Sequence, residues 1–317
     1  MNYYIYGYTD KGQYRLKNED AMLVNRVAVA KKRGGFGSVC INPFLTAICD
    51  GVGGEKAGDL ASKLCAESLG ELDFDSGTDL DSQILAIHRK LREIGVKTDS
   101  TSNMQTTLCM LAVDEDGTAT CYNIGDSRMY RYVKGSVRQV SVDQTYARFL
   151  YEQGAITSAS EVAPEYRHAI TSSVGSGTAD PKIEHVRFVT QFGEEEDDTV
   201  LICSDGLSDF ITRDEIEIAM KINSMTFSEK LEALCQLAMR NGSTDNVSVI
   251  GIKPWNTPEQ YCMLTGTSLF NSKDPEVVRA QQECLEYQER YENQKLEQQA
   301  DDLLASLRSD LEKFKAL

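Results

Sequence analysis

The sequence predicts an α+β fold in which antiparallel strands alternate with helices, followed by a separate helical extension. Three observations carry that prediction. Short apolar runs, among them Phe44 to Cys49, Thr118 to Ile124 and Thr199 to Ser204, each stop abruptly at an acid beside glycine. The turns Asp114-Glu115-Asp116-Gly117 and Lys134-Gly135 have hairpin chemistry and join the middle runs into an antiparallel meander. Apolar residues at 3–4 spacing over Ala57 to Leu72 and Asp81 to Val96 mark two amphipathic helices, expected to pack on one sheet face.

Taken in order, Tyr3 to Tyr8 is an aromatic-rich strand closed by the turn Thr9 to Gly12. Met22 to Ala30 reads as a strand, Lys31 to Ser38 as a basic, glycine-rich hairpin loop, and Cys40 to Asp50 as the approach to Asp50-Gly51-Val52-Gly53-Gly54. After the two helices, in which His88 reads as a surface or boundary histidine, the meander runs through Thr106–Val113, Thr118–Ile124, Arg128–Val133 and Val137–Val142. Asp143 is placed to cap a helix from Gln144 to Gln153, ended by Gly154. Ala155 to Asp180 lacks periodicity, as a lid or binding loop would, and contains His168. Strands follow over Ile183–Phe192 and Thr199–Ser204, then helices over Asp214–Ile222, capped by Thr212, and Ser228–Arg240. Val247–Lys253 is the closing strand.

The chain has 317 residues, 41% hydrophobic and 26% charged, ample for one large soluble domain plus an appendage. Its net charge of −16 argues against nucleic-acid binding and suits partial neutralisation by divalent metal. Nine cysteines without a CxxC pair read as reduced, buried thiols of a cytoplasmic protein. Neither a signal peptide nor a membrane span is expected, because the N-terminus lacks a charged region and no apolar run approaches spanning length.

The chemistry lies in the acids. Asp50, Asp126, Asp205 and Asp245 stand at strand ends or openings far apart in sequence, where they can converge on one sheet edge. Carboxylates with backbone carbonyls form the all-oxygen set that Mg²⁺ and Mn²⁺ take, and no nearby histidine or cysteine pattern points to zinc. Asp50-Gly51 alone reads first as a plain turn, and only second as a ligand site whose glycine allows positive φ or close approach. Arg15, ahead of Glu19-Asp20, can grip phosphate bidentately, or lie in a solvated charged loop.

Together, Arg15, Asn18-Glu19-Asp20, Asp50-Gly51-Val52-Gly53-Gly54, Thr106-Thr107, Gly125-Asp126-Ser127-Arg128, Ser204-Asp205-Gly206-Leu207 and Asp245-Asn246 closely resemble the type 2C metal-dependent serine/threonine protein phosphatases, the PPM family, in its bacterial form. The resemblance covers roughly residues 3 to 253. It implies an αββα sandwich of two packed antiparallel sheets flanked by helices. It also implies hydrolysis of phosphoserine or phosphothreonine by a hydroxide bridging two Mn²⁺ or Mg²⁺ ions. In that resemblance Asp50 bridges the ions, the Gly51 carbonyl binds one, and Asp205 and Asp245 bind the other. Glu19 and Asp20 hold metal-bound waters, Arg15 clamps phosphate, and Asp126, with Asp205 and Asp209, forms a third, weaker metal site. Two departures stand out: Val52 where eukaryotic members carry a histidine, which leaves the proton donor to a metal-bound water or His168, and Gln105 where glycine is usual.

The phosphatase domain is expected over 1–254, a linker over 255–273 and a helical or coiled-coil tail over 274–317, the last from its Glu, Gln, Leu and Ala content with two phases of 3–4 spacing. Expected partners are phosphorylated proteins and a cognate serine/threonine kinase system, with neither nucleic acid nor membrane; the tail either folds back or binds a partner or second copy. Two other readings of the chain are a catalytically silent scaffold acting through the tail and a hydrolase of small phosphoesters. The scaffold reading is opposed by the intact set Asp50, Asp205 and Asp245.

Overall fold

The computed structural model describes residues 1–52, 57–99, 101, 103–177, 179–195, 197–255, 260 and 264. The chain opens with β1 (Asn2–Asp10), the hairpin β2 (Asp20–Val24) and β3 (Val27–Val29), then β4 (Arg33–Ile41) and β5 (Phe44–Val52). Helices α1 (Gly58–Gly70) and α2 (Leu80–Gly95) follow, then β6 (Gln105–Thr106), β7 (Leu108–Val113), β8 (Ala119–Ile124), β9 (Arg128–Val133) and β10 (Ser136–Gln139). The short helices α3 (Tyr146–Glu152) and α4 (Pro164–Arg167) precede β11 (Glu184–Val189), β12 (Thr199–Cys203) and one turn of helix, α5 (Asp205–Ser208). Helices α6 (Arg213–Lys221) and α7 (Phe227–Arg240) lead to β13 (Val247–Trp255).

Two antiparallel sheets result, ordered β10-β9-β12-β13-β1-β4 and β11-β8-β7-β5-β2-β3, with β6 pairing the end of β5. Their alternating side chains supply three apolar layers. Tyr3, Ile5, Met22, Ile48, Leu111 and Ile202 fill the space between the sheets. Leu69, Ile84 and Leu91 of α1 and α2 cover the outer face of the second sheet, while Ile216, Leu231 and Leu234 of α6 and α7 cover that of the first. This is the αββα sandwich that the resemblance implies.

Several elements depart from the sequence reading. Met22 to Ala30 is a hairpin, turned at Asn25 with φ 55°. The glycines of Lys31 to Ser38 do not make a loop but belong to β4, which pairs along all of β1. At two of them the role is space: a Cβ on Gly35 would strike the Tyr6 ring and one on Gly37 would come 2.9 Å from the Tyr4 hydroxyl. The expected meander is broken between β8 and β9, which lie in different sheets, so the chain crosses the sandwich at Gly125-Asp126-Ser127. Thr145, not Asp143, caps α3, because the Asp143 carboxylate is engaged by Arg128. His88 is fully buried; its Nδ1 accepts the Gly175 N–H at 2.9 Å, and burial followed by nearby Arg92 holds its pKa down. Thr212 does cap α6, in a reciprocal box with Glu215. All seven cysteines among the described residues are free and buried.

Among the described residues no helix is long and apolar enough to cross a membrane. β13 continues to Trp255, and Leu264 packs into the layer under α6 and α7. Gly53 and Gly54, the rest of the 255–273 linker and the 274–317 tail lie outside the described residues.

Candidate active site

The ends of both sheets meet around a cavity of about 360 Å³ lined by Arg15, Glu19, Asp50, Asp126, Asp205 and Asp245, with Gly51, Val52, Thr107 and His168. Asp50 stands near the end of β5, where its backbone is pinned from both sides. Its carbonyl accepts from Thr107 N and Thr106 Oγ1, each at 2.8 Å, and its N–H donates to Thr107 Oγ1 at 3.0 Å. Gly51 does not take positive φ; it lets β5 close against the start of α1, since a Cβ there would strike the Gly58 carbonyl and sit 2.8 Å from the Glu19 carbonyl oxygen. Asp205 opens α5 directly after β12, and Asp126 lies in the crossing turn after β8.

Asp245 and Asn246 bring in the N-terminal segment. The Asn246 side chain accepts the Glu19 N–H at 2.8 Å and donates to the carbonyls of Lys11 and Lys17 at 2.8 and 2.9 Å. That clamp places Arg15, whose Nη2 lies 2.5 Å from Asp245 Oδ2. Asp20 pairs in register with Asp50 but lies below the cavity lining, its Oδ2 accepting from Ser204 and Ser248 hydroxyls at 2.9 and 2.5 Å. Asp209 is likewise outside the lining: it meets His168 Nδ1 at 3.1 Å and Arg128 at 3.5 Å. The irregular segment does reach the site, through His168, Ala169 and Ile170, and is tied to it by paired backbone hydrogen bonds between Thr106 and Val174. A larger recess of about 680 Å³, where Lys221, Lys230 and Lys253 face Glu195 and Asp197 among apolar side chains such as Met220 and Phe227, contains none of the candidate site residues.

The electrostatics are lopsided. Burial, reinforced by neighbouring aspartates, pushes Asp50 and Asp126 well above the usual carboxylate range. Burial and the neighbours Asp245 and Asp209 raise Asp205 to about 6, with a hydrogen bond to Asp50 pulling the other way. Asp20 is raised to about 7 by burial, against the pull of its two serine hydroxyls. Burial also raises Glu19, partly offset by Arg15. Burial tends to lower Arg15, but its bond to Asp245 prevails and its pKa is raised.

The residues fit a divalent cation by donor chemistry. Oδ1 of Asp20 and Oδ1 of Asp205 are buried without a hydrogen-bond partner, and one guanidinium cannot neutralise the carboxylates around it. Among the described residues no three acidic, histidine or cysteine side chains already stand in a closed ligand set, and Asp245 is held by Arg15. The supports are not apparent from the sequence: Asn246 as a clamp, Ser204 and Ser248 beneath Asp20, and Thr107 behind Asp50. Ser204, Asn246 and Thr107 were visible as members of the motifs, but nothing in their spacing revealed these bonds.

Residues 41–246 match the family model described as protein phosphatase 2C. Serine/threonine protein phosphatase PstP of Mycobacterium tuberculosis is 29% identical over 248 residues, covering 76% of this chain and 43% of that protein, so the chain spans less than half its length. Serine/threonine phosphatase stp of Listeria welshimeri is 25% identical over 250 residues, covering 76% of this chain and 92% of that protein. The solved catalytic domain of PstP in complex with two manganese ions superposes with a TM-score of 0.61 at 28% identity, covering 80% of this chain and 99% of that one.

Proposed function

The chain belongs to the protein phosphatase 2C family, and we propose on that premise that it removes phosphate from phosphoserine and phosphothreonine on proteins with two Mn²⁺ or Mg²⁺ ions. One observation carries the reading: acids from both sheets, too poorly neutralised to stay ordinary carboxylates, gather in one cavity beside a single arginine. Asp50, the Gly51 carbonyl, Asp205 and Asp245 would hold the two ions, with Asp126 at a third. When bound, the cations supply an acidified water for in-line attack and neutralise charge on the phosphoryl group.

The chain's own residues do the rest. Arg15, paired with Asp245 here, would turn its fork to the phosphoryl oxygens once Asp245 holds a cation, a bidentate geometry that a lysine could not reproduce. Glu19 at the rim orients water, and Asp20 lies beneath Asp50 with its Oδ2 held by the Ser204 and Ser248 hydroxyls. His168, its Nδ1 held by Asp209, stands at the rim to give a proton to the departing serine or threonine oxygen, the task that Val52 cannot perform. Residues 1–254 form the phosphatase domain, acting opposite a serine/threonine kinase. The test is phosphate release from para-nitrophenyl phosphate and a phosphothreonine peptide with Mn²⁺, Mg²⁺ or EDTA. Metal-dependent release by wild type that is lost in Asp205→Asn supports the proposal; no release by folded protein with either metal overturns it.

A further inference from the structure

A recess of about 460 Å³ adjoins the candidate active site, and His168 lines both. Three arginines, Arg128, Arg148 and Arg167, line it against one carboxylate, Asp143. That balance contrasts with the whole chain, in which 49 acidic residues face 33 basic ones. Arg128 is already spent: it lies 2.7 Å from Asp143 and 3.5 Å from Asp209. The other two are not. Arg148 meets Glu152, one turn along α3 and outside the recess, at 2.7 Å, an exposed pair of the kind that exchanges readily with water. Arg167 donates to the neutral carbonyls of Ala159 and Val162 at 3.1 and 3.2 Å, and no acid pairs with it among the described residues. The Tyr151 ring, 5.9 Å from the Arg148 guanidinium, adds an apolar wall.

We infer that this recess is a subsite for an anionic side chain, a carboxylate or a second phosphate, carried by the same peptide as the phosphorylated residue. The inference rests on the phosphatase reading of the adjoining cavity. A strongly acidic protein repels acidic peptides at long range, so a cationic wall within a Debye length of about 8–10 Å is what would retain one locally. Arginine suits both anions because its planar fork meets carboxylate and phosphate alike. The subsite therefore selects phosphoproteins with acidic residues near the modified serine or threonine.

The experiment walks one glutamate, and separately one phosphoserine, through each position of an otherwise neutral phosphothreonine peptide. For each enzyme, loaded with Mn²⁺, the readout is the ratio of kcat/KM for the anionic peptide to that for the neutral one, so a general loss of activity cancels. Wild type should prefer an anion at one position by about fivefold or more, mainly through KM, and the preference should shrink as salt rises. The double variant Arg148→Gln, Arg167→Gln should bring the ratio to within about twofold of one, and Arg167→Lys should keep part of it. Arg148→Gln alone should lower the ratio too, and it leaves the carbonyls held by Arg167 untouched. The two peptide series separate a carboxylate subsite from a phosphate subsite. An active wild type with no anionic preference at any position, or a preference unchanged in the double variant, overturns the subsite alone. Failure to release phosphate from any peptide overturns the phosphatase reading with it.

Discussion

Asp198 and Asp143, on one hand, and Asp50, Asp126 and Asp205, on the other, are carboxylates withdrawn from water by the same pair of sheets. Asp198 is fully buried, but both its oxygens meet the Arg131 fork, at 2.8 and 2.9 Å, and Asp143 meets Arg128 at 2.7 Å. The second group lies among other acids, and its pKa values rise as burial and mutual repulsion disfavour charge. A paired carboxylate serves the fold. An unpaired cluster at the mouth of a cavity works against the empty fold, and it gains its full counter-charge only when a cation arrives.

That contrast can be broken by substitution. Asp198→Ala strands Arg131 beside a buried gap and should cost about 3–5 kcal/mol, read as a lower midpoint in chemical denaturation, with Mn²⁺ affinity unchanged. Asp50→Asn should do the opposite in EDTA at pH 8, raising the melting temperature by removing an unmatched charge. The same variant should lose at least about 100-fold in Mn²⁺-dependent phosphate release, more than loss of an outer-shell partner typically costs. A stabilised Asp198→Ala or a destabilised metal-free Asp50→Asn would erase the distinction. Arg15→Ala should raise KM for a phosphothreonine peptide about tenfold through loss of the bidentate grip, and an unchanged KM would reject that role.

The fold was legible in the sequence wherever one physical signal acted alone. Strand runs such as Thr199–Cys203 and the capped helix Arg213–Lys221 were visible because period and cap agreed. The sequence of β4 has the look of a loop because Gly35 and Gly37 answer the tyrosines of β1, a contact between strands that local propensity cannot register. The crossing at Gly125 is hidden for a similar reason, since a hairpin and a change of sheet share turn residues. At the site, Arg15, Glu19, Asp50, Asp126, Asp205 and Asp245 do line one cavity. Asp20 and Asp209 do not, because a side chain's depth depends on partners such as Ser204, Ser248 and His168 that spacing leaves unstated.

A smaller effect sharpens the comparison through pH. The folded pKa values of Asp20 and Asp205, about 7 and about 6, lie above the ordinary unfolded value of 3.8. Between about pH 4 and 7 the folded state therefore binds more protons than the unfolded state, and these groups lose stability as pH rises. In EDTA the melting temperature should increase by roughly 5–10 °C from pH 8 to 5.5, the shift that about 2–3 kcal/mol makes in a domain of this size. Saturating Mn²⁺ at pH 8 should reverse the deficit.

The most direct measurement is calorimetric titration of Mn²⁺ into metal-free wild type and Asp50→Asn at pH 7.5, repeated in buffers of different ionisation enthalpy. The unmatched-acid account predicts at least two ions per chain in wild type, with proton release because raised carboxylates must ionise to bind, and a sharp loss of both in the variant. No Mn²⁺ binding by folded wild type, or equal binding and proton release in Asp50→Asn, would contradict it.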